Sequence, residues 1–183
     1  MMNQTRCRWC NNKNPIYVAY HDTEWGVPQH DDRKLFELLV LESFQAGLSW
    51  ETILNKRENF RKAFDDFDPH LISKYDDRKI QTLMADSGII RNRRKIDAAI
   101  QNAAVFLQIQ QEWGNFNAYI WHFTDGKTIY EYDQTHSALS DHISDDLKKH
   151  GMRFVGTTII YSYLQAIGII YSHDPGCFLH RSE

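Results

Sequence analysis

His173 and Cys177 stand four residues apart in "HDPGC", and Cys7 and His21 lie near the opposite end of the same chain. Two thiolates and two imidazoles make the donor set of a closed tetrahedral zinc site, and such a site would tie the two ends of the chain together. The plainer alternative is separate surface histidines and buried thiols, because about 150 residues divide the two pairs. Cys10 offers a third reading as a C-x-x-C redox couple with Cys7, although no thioredoxin-like βαβ pattern accompanies it.

Two further stretches carry chemistry-bearing residues. Glu42 interrupts the apolar series "LLVLESFQAGLSW"; such a glutamate ordinarily turns to solvent, and one facing inward among aromatic rings would be costly enough to ask for a function. The segment "YVAYHDTEWGVP" is too polar for a core helix and too aromatic for an ordinary solvent loop. Its Tyr17, Tyr20 and Trp25, like Trp50, have core packing as the default reading, which their charged neighbours weaken. In "LMADSGIIRNRRKIDAAI" a turn containing Gly88 joins two helical patterns, and the second starts with Arg91, Arg93, Arg94 and Lys95. Turn amides and a helix start can hold a DNA phosphate, while an ordinary helical hairpin with a solvated basic start is the alternative.

The elements that must position these residues read as helices. "DDRKLFELLVLESFQAG" has an Asp cap, leucines at helical spacing and a closing Gly47. Ser49 caps "WETILNKRENFRKAFDDF", read as one helix with a largely continuous buried face. Pro69 opens another; "DDRKIQTLMADSG" is a short helix capped by Asp76 or Asp77 and stopped by Gly88; and "RNRRKIDAAIQNAAVFLQIQQEWG" is a long one stopped by Gly114. An aromatic helix around "FNAYIWHF" precedes "TDGKTIYEYDQTHS", the least helical region, and two more helices follow within 140–150 and 157–170. No sustained alternation marks a strand series, so the class is all-α.

With 183 residues, 42% of them apolar and 13% aromatic, the chain can bury a core without disulfides, which three cysteines could not fully provide. No apolar run approaches the length of a membrane span, and "MMNQTRCRWC" has no signal-peptide core, so the expected location is cytoplasmic, with no membrane partner. A net charge of −3 argues against general nucleic-acid binding but leaves room for a local anion site at 91–95.

Taken together, "AYHDTEWGVP", "ESFQAGLSWETILNKRENFRKAF", "DSGIIRNRRKI", "RFVGTTIIYSYLQAIG" and "HDPGC" closely resemble the bacterial 3-methyladenine DNA glycosylase I family, from Cys7 to Cys177. The family is similar to the wider helix-hairpin-helix glycosylases. The resemblance implies an all-α fold of two packed lobes forming one glycosylase unit over 1–183. The helix-hairpin-helix lobe would span about 43–112, and a zinc lobe would combine about 1–42 with 113–183. It implies one structural zinc per chain on Cys7, His21, His173 and Cys177, with Cys10 outside the ligand set. Glu42 matches the base-contacting carboxylate, Tyr17, Tyr20, Trp25 and Trp50 the aromatic lesion pocket, and Gly47 and Leu48 the loop that enters the DNA stack. The implied activity is hydrolysis of the N-glycosidic bond of 3-methyladenine, flipped from double-stranded DNA, by a monomer that releases the free base and leaves an abasic site. The superfamily generally carries a catalytic aspartate after its hairpin; no matching loop follows residue 98, a trait this subfamily shares.

Overall fold

The computed structural model describes residues 4–181. Ten α-helices and one two-stranded parallel ribbon make up its regular structure, in accord with the all-α expectation. Among the described residues no helix is long and apolar enough to cross a membrane.

The first helix, α1, spans Pro15–Thr23, capped by Asn14 with Pro15 at its first position. This corrects the expectation for "YVAYHDTEWGVP": its first part, Tyr17 to Thr23, is helical with Tyr17, Tyr20 and His21 buried, and Glu24 to Pro28 form the turn that follows. Phenol and imidazole tips let one helix be aromatic on its inner face and still find polar partners there. Next, α2 (Asp32–Gln45) starts from an Asp31 cap and runs through the centre of the molecule. Leu35, Phe36, Leu38, Leu39, Val40, Leu41 and Phe44 are all buried, so this helix is covered on every side rather than along one stripe.

The single helix expected over "WETILNKRENFRKAFDDF" is broken into α3 (Trp50–Asn55, capped by Ser49), α4 (Arg57–Ala63) and a tight turn at Asp65–Phe67. The first break falls at Lys56, whose ammonium donates to the carbonyls of Ser87 at 3.0 Å and Gly88 at 3.2 Å; a tertiary link overrides local periodicity. In the second, Asp65, Asp66 and Phe67 adopt φ of 49°, 51° and 55°, a left-handed run that disfavours side chains. It persists because Phe67 is fully buried and Asp65 accepts hydrogen bonds from Tyr75 Oη at 2.6 Å and Lys79 Nζ at 3.0 Å.

Beyond the turn lie α5 (Pro69–Ile72), α6 (Asp77–Ala85) and α7 (Arg93–Trp113). Asp76 caps α6, which stops at Ala85, before Gly88; Asn92 caps α7, which starts two residues later than the basic run suggested, and Gly114 ends it at φ +84°. The remaining helices are α8 (Phe116–His122), α9 (Ala138–Lys149) and α10 (Thr157–Ala166). The least helical region supplies strand β1 (Ile129–Tyr130), which pairs in parallel with β2 (Ile170–Tyr171), Ile129 opposite Ile170. That ribbon fixes where the chain emerges just before His173.

The segment after α1 is stitched to the end of α10. Gly26 N donates to Gln165 O at 3.0 Å, and Gln29 N donates to Ile167 O at 2.9 Å. Gly168 makes this approach possible: its φ is +76°, and a Cβ there would meet Val27 C at 2.4 Å and Pro28 N at 2.5 Å. Gly168→Ala should therefore destabilise the fold by at least about 2 kcal/mol, combining left-handed strain with displacement of backbone, or several degrees in Tm. Gly176→Ala, where an added Cβ meets open space, should stay within about 0.5 kcal/mol of wild type. Thermal unfolding of the two variants checks the contrast, and equal Tm values would contradict the close-packing argument.

Candidate functional site

Two arrangements share one wall. The first joins the chain ends: Cys7, His21, His173 and Cys177 are all buried, and their ligand atoms lie within 4.8 Å of one another. Cys7 Sγ is 3.4 Å from His173 Nδ1, and Cys177 Sγ is 3.5 Å from His21 Nε2 and 3.6 Å from His173 Nδ1. Such a cluster is compatible with a metal site. Cys10, also buried, stays outside it with its sulfur 3.9 Å from the Tyr17 carbonyl. The four expected ligands come together, and the C-x-x-C reading does not.

The surroundings aim these groups. His21 Nδ1 meets Asp22 at 2.7 Å, leaving Nε2 to face the cluster, and Asp22 is gripped by Arg6 at 2.7 and 2.6 Å. The amides of Asp174 and Leu179 point at the sulfurs of Cys7 and Cys177 at 3.3 and 3.4 Å. Burial and the neighbouring His21 hold the His173 imidazolium down at about 4, so it is neutral near pH 7, the form that ligates metals. Burial pushes the Cys7 thiol well up, a position that a bound cation would reverse.

The second arrangement is a cavity of about 240 Å³ whose lining includes Tyr17, Tyr20, Trp25, Glu42 and Trp50, the five residues singled out in the sequence. Trp25 is the shared wall: its ring lies 4.7 Å edge-on from His173, and its carbonyl is 3.3 Å from His173 Nε2. The rings of Tyr20 and Trp50 pack against each other, 5.4 Å between centres, in the cavity lining. Sequence reasoning missed four lining residues: Trp9, Gln45, Ser162 and Gln165. Trp9 packs 5.3 Å from Tyr17 and 4.8 Å from Trp25, and its position between Cys7 and Cys10 was the available signal. Ser162 and Gln165 share a face of α10, but nothing in "TTIIYSYLQA" marks that face as functional.

Two buried glutamates on α2 separate structural from functional charge. Glu37 is met by Arg57 at 2.7 Å and Arg61 at 2.8 Å, and Arg57 also grips Glu24, so its burial is compensated. Glu42, only 3% exposed, has no such partner, and its Oε2 makes no hydrogen bond. Burial raises its carboxyl from 4.5 to about 8. Tyr20 Oη and Trp50 Nε1 are likewise buried without a partner. Three unpaired polar groups around one cavity are what a site awaiting a polar, planar ligand looks like.

Gly47 and Leu48 form the loop that follows α2, with Gly47 at φ +80° and Leu48 41% exposed. Gly88 lies between α6 and α7; its amide donates to Asp86 at 2.7 Å, so that amide is already engaged. Arg91, Arg93 and Arg94 are exposed, and Arg93 pairs with Asp97 at 2.8 Å and Asp77 at 3.3 Å. Lys95 departs from the expected phosphate-facing run: it is buried and donates to Phe44 O at 2.8 Å and Ala46 O at 2.6 Å. The unsatisfied carbonyls at the end of α2 draw its ammonium inward.

Residues 9–180 match the model of the methyladenine glycosylase family. The chain is 46% identical to DNA-3-methyladenine glycosylase 1 of Escherichia coli (strain K12) over 179 residues, 94% of this chain and 95% of that protein. A crystal structure of 3-methyladenine DNA glycosylase I superposes with a TM-score of 0.92 at 45% identity, covering 97% of this chain and 100% of that one. A tyrosine-to-phenylalanine variant of 3-methyladenine DNA glycosylase I in complex with 3-methyladenine gives 0.89 at 34% identity, over 96% and 99%. Sequence, backbone and the aromatic cavity around an unpaired glutamate therefore agree, and the chain belongs to the methyladenine glycosylase family.

Proposed function

We propose that this protein hydrolyses the N-glycosidic bond of 3-methyladenine in alkylated double-stranded DNA, releasing the free base. The observation that carries the reading is Glu42, buried without a counter-charge in a ring-lined cavity large enough for a purine. Methylation at N3 makes the base cationic and a good leaving group, so the protein's task is to extract it, hold it and admit water at the sugar carbon. Lesion-weakened pairing lowers the few kcal/mol that flipping costs, and Leu48 on the exposed loop would fill the gap in the stack. Tyr17, Tyr20, Trp9, Trp25 and Trp50 would sandwich the base; a cation over such faces gains about 0.5–2 kcal/mol, more when desolvated. Glu42 would accept from the exocyclic amine, which guanine's O6 cannot offer, and would favour positive charge on the base.

The turn between α6 and α7 would act as a helix-hairpin-helix. Arg91, Arg93 and Arg94 would reach phosphates, while Gly88 shapes the turn and Lys95 braces the Gly47–Leu48 loop. A hairpin lobe of about 43–112 and a metal lobe from the remaining two segments would then close on the cavity as one monomeric unit. The DNA substrate puts the work in the cytoplasm.

For the metal, zinc suits the donor set. Bonds of about 2.3 Å to sulfur and 2.0 Å to nitrogen in a tetrahedron separate S and N by roughly 3.5 Å, in line with the spacings between the Cys and His atoms. Four protein ligands leave no position for a catalytic water, so the group's role is to fasten the wall that carries Trp25 and Trp9. Elemental analysis should find one zinc per chain. Cys177→Ser should lose metal and at least about 2 kcal/mol of stability together, with Cys10→Ser retaining metal. Loss of metal from Cys10→Ser alone would overturn the ligand set.

Glu42→Gln should lower single-turnover release of 3-methyladenine about tenfold, because a neutral acceptor replaces a charge-assisted one. Wild-type kcat/KM should climb as pH rises toward about 8, where the carboxyl ionises, and the Gln variant should lack that limb. Stability runs the other way. A carboxyl raised from 4.5 to about 8 contributes most below pH 4.5 and loses its contribution as pH rises through 8, so Gln should exceed wild type in Tm increasingly between pH 5 and 9. A wild-type rate in the variant would remove Glu42 from the reaction.

A further inference from the structure

We propose that Arg57 is a positioning residue for base excision: its guanidinium holds the ring wall at the end of α1 at a set distance from Glu42 on α2, so that a flipped base is seated in reacting geometry. This deepens the glycosylase reading and rests on it. Neutralising Glu37 does not require Arg57, because Glu37 Oε1 already accepts from Arg61 Nε at 2.8 Å. Arg57 gives that oxygen only its Nε, at 2.7 Å, and turns both terminal nitrogens to Glu24, Nη1 to Oε2 and Nη2 to Oε1, each at 2.7 Å. A two-pronged grip of this kind fixes orientation as well as distance.

What the grip orients is the cavity wall. Glu24 caps the end of α1, its amide donating to Tyr20 O at 3.0 Å, and the next residue is Trp25, whose amide donates to the same carbonyl at 2.9 Å. Glu37 stands on α2, the helix of Glu42. One guanidinium, its side chain 11% exposed, therefore spans from the helix end between two cavity rings to the helix that carries the cavity's carboxyl. Tyr20 lies beside this bridge: it lines the base cavity and also a groove of about 380 Å³ between α1 and α3–α4 whose walls include Glu24 and Arg57. Burial, Glu42 and Glu24 push the Tyr20 phenol well up and Arg57 pulls it down, which puts the guanidinium within electrostatic reach of that ring. The start of α1 is pinned separately, where Asn14 Nδ2 donates to Glu51 at 2.8 Å and to Asn55 at 2.9 Å on α3, the helix that opens with Trp50. Both ends of the helix carrying Tyr17 and Tyr20 are thus fastened, and the Arg57 end sets the spacing to Glu42. That spacing matters to the rate, because a misplacement of about 1 Å in a reacting arrangement can cost about a hundredfold.

The test is single-turnover release of 3-methyladenine from methylated duplex by Arg57→Met, with the full chain in increasing excess over DNA so that limiting rate and half-saturation are read apart. The limiting rate should fall about tenfold, with half-saturation within about twofold of wild type. A merely structural role gives the opposite pattern, since an unfolded fraction lowers the effective enzyme concentration and raises half-saturation while the limiting rate stays at its wild-type value. Arg61→Met removes the other arginine from Glu37, leaves the Glu24 bridge, and should keep the wild-type limiting rate. Glu24→Ala leaves Glu37 with both arginines, so it keeps the test independent of any loss of fold in Arg57→Met. It should lose as much as Arg57→Met, and the double variant no more than either, because the two side chains act as one unit. Arg57→Lys keeps the charge without the fork and should recover under about half of the loss. A wild-type limiting rate in Arg57→Met or Glu24→Ala, an equal loss in Arg61→Met, additive losses in the double variant, or full recovery in Arg57→Lys would each overturn the proposal. Wild type that releases no 3-methyladenine sinks the glycosylase reading and the inference with it; wild type that releases it at a rate the variants match sinks the inference alone.

Discussion

The constraint on which this fold turns is the burial of one unpaired carboxyl at the end of a helix that is otherwise core. A charge taken out of water without a partner costs several kcal/mol, and the protein answers by keeping Glu42 protonated near neutral pH rather than by supplying a cation. That choice is local: five residues earlier on the same helix, Glu37 receives two arginines. Holding α2 rigid enough to bear the cost requires packing on all its sides, and α3, α7, α8 and α10 provide it. Ridges of phenylalanine, with Phe36 against Phe106 and Phe44 against Phe60, anchor the helix from both ends.

The cysteine and histidine cluster bears on the same constraint from the other wall. Among the described residues, the first and last segments meet there and at neighbouring contacts, such as Phe178 N donating to Thr5 O at 2.9 Å. Trp9, Trp25 and the tyrosines of α1 hang from residues flanking the cluster, so their spacing across the cavity depends on how firmly the ends are fastened. Planar rings separated by one base thickness give selectivity only if they cannot relax inward, and a closed four-ligand centre would be a stiffer clamp than packing alone. The Arg57 bridge from Glu24 to Glu37 supplies a second brace, tying the end of α1 to α2.

Much of this was legible before the structure. Caps at Asp31, Ser49 and Asp76 announced helices whose ends fall where side-chain oxygens meet the first free amides, because capping is local physics. The four cluster residues stood out from their donor types, with unconnected residues as the plainer alternative, and the five cavity residues were singled out in the chain but took a pocket role only from the family pattern. What escaped was set by tertiary contacts. The break at Lys56 depends on carbonyls about thirty residues away, and the inward turn of Lys95 on the open end of a different helix. The helical state of "YVAYHDT" escaped because polar tips on aromatic rings read as surface until one knows that a cavity receives them.

An acidic protein that works on DNA must still bind it, and the distribution of its charges shows how the two requirements coexist. Carboxylates pair with Arg6, Arg8, Arg33, Arg57, Arg61 and Arg93, which weakens the long-range field these cations would otherwise project. On the reading advanced above, Arg91 and Arg94, exposed and without an ion-pair partner among the described residues, stand beside Lys95, which grips the end of α2, and would be felt only when the duplex is already seated against the Leu48 loop. Phosphate contacts then contribute affinity that is blind to sequence, and discrimination falls to the cavity, where a carboxyl, a phenol and an indole wait for hydrogen bonds. Separating the two tasks lets each be tuned alone: a stronger backbone grip would slow the search for lesions without improving the choice of base, whereas a better-satisfied Glu42 would make the fold more stable and the enzyme worse.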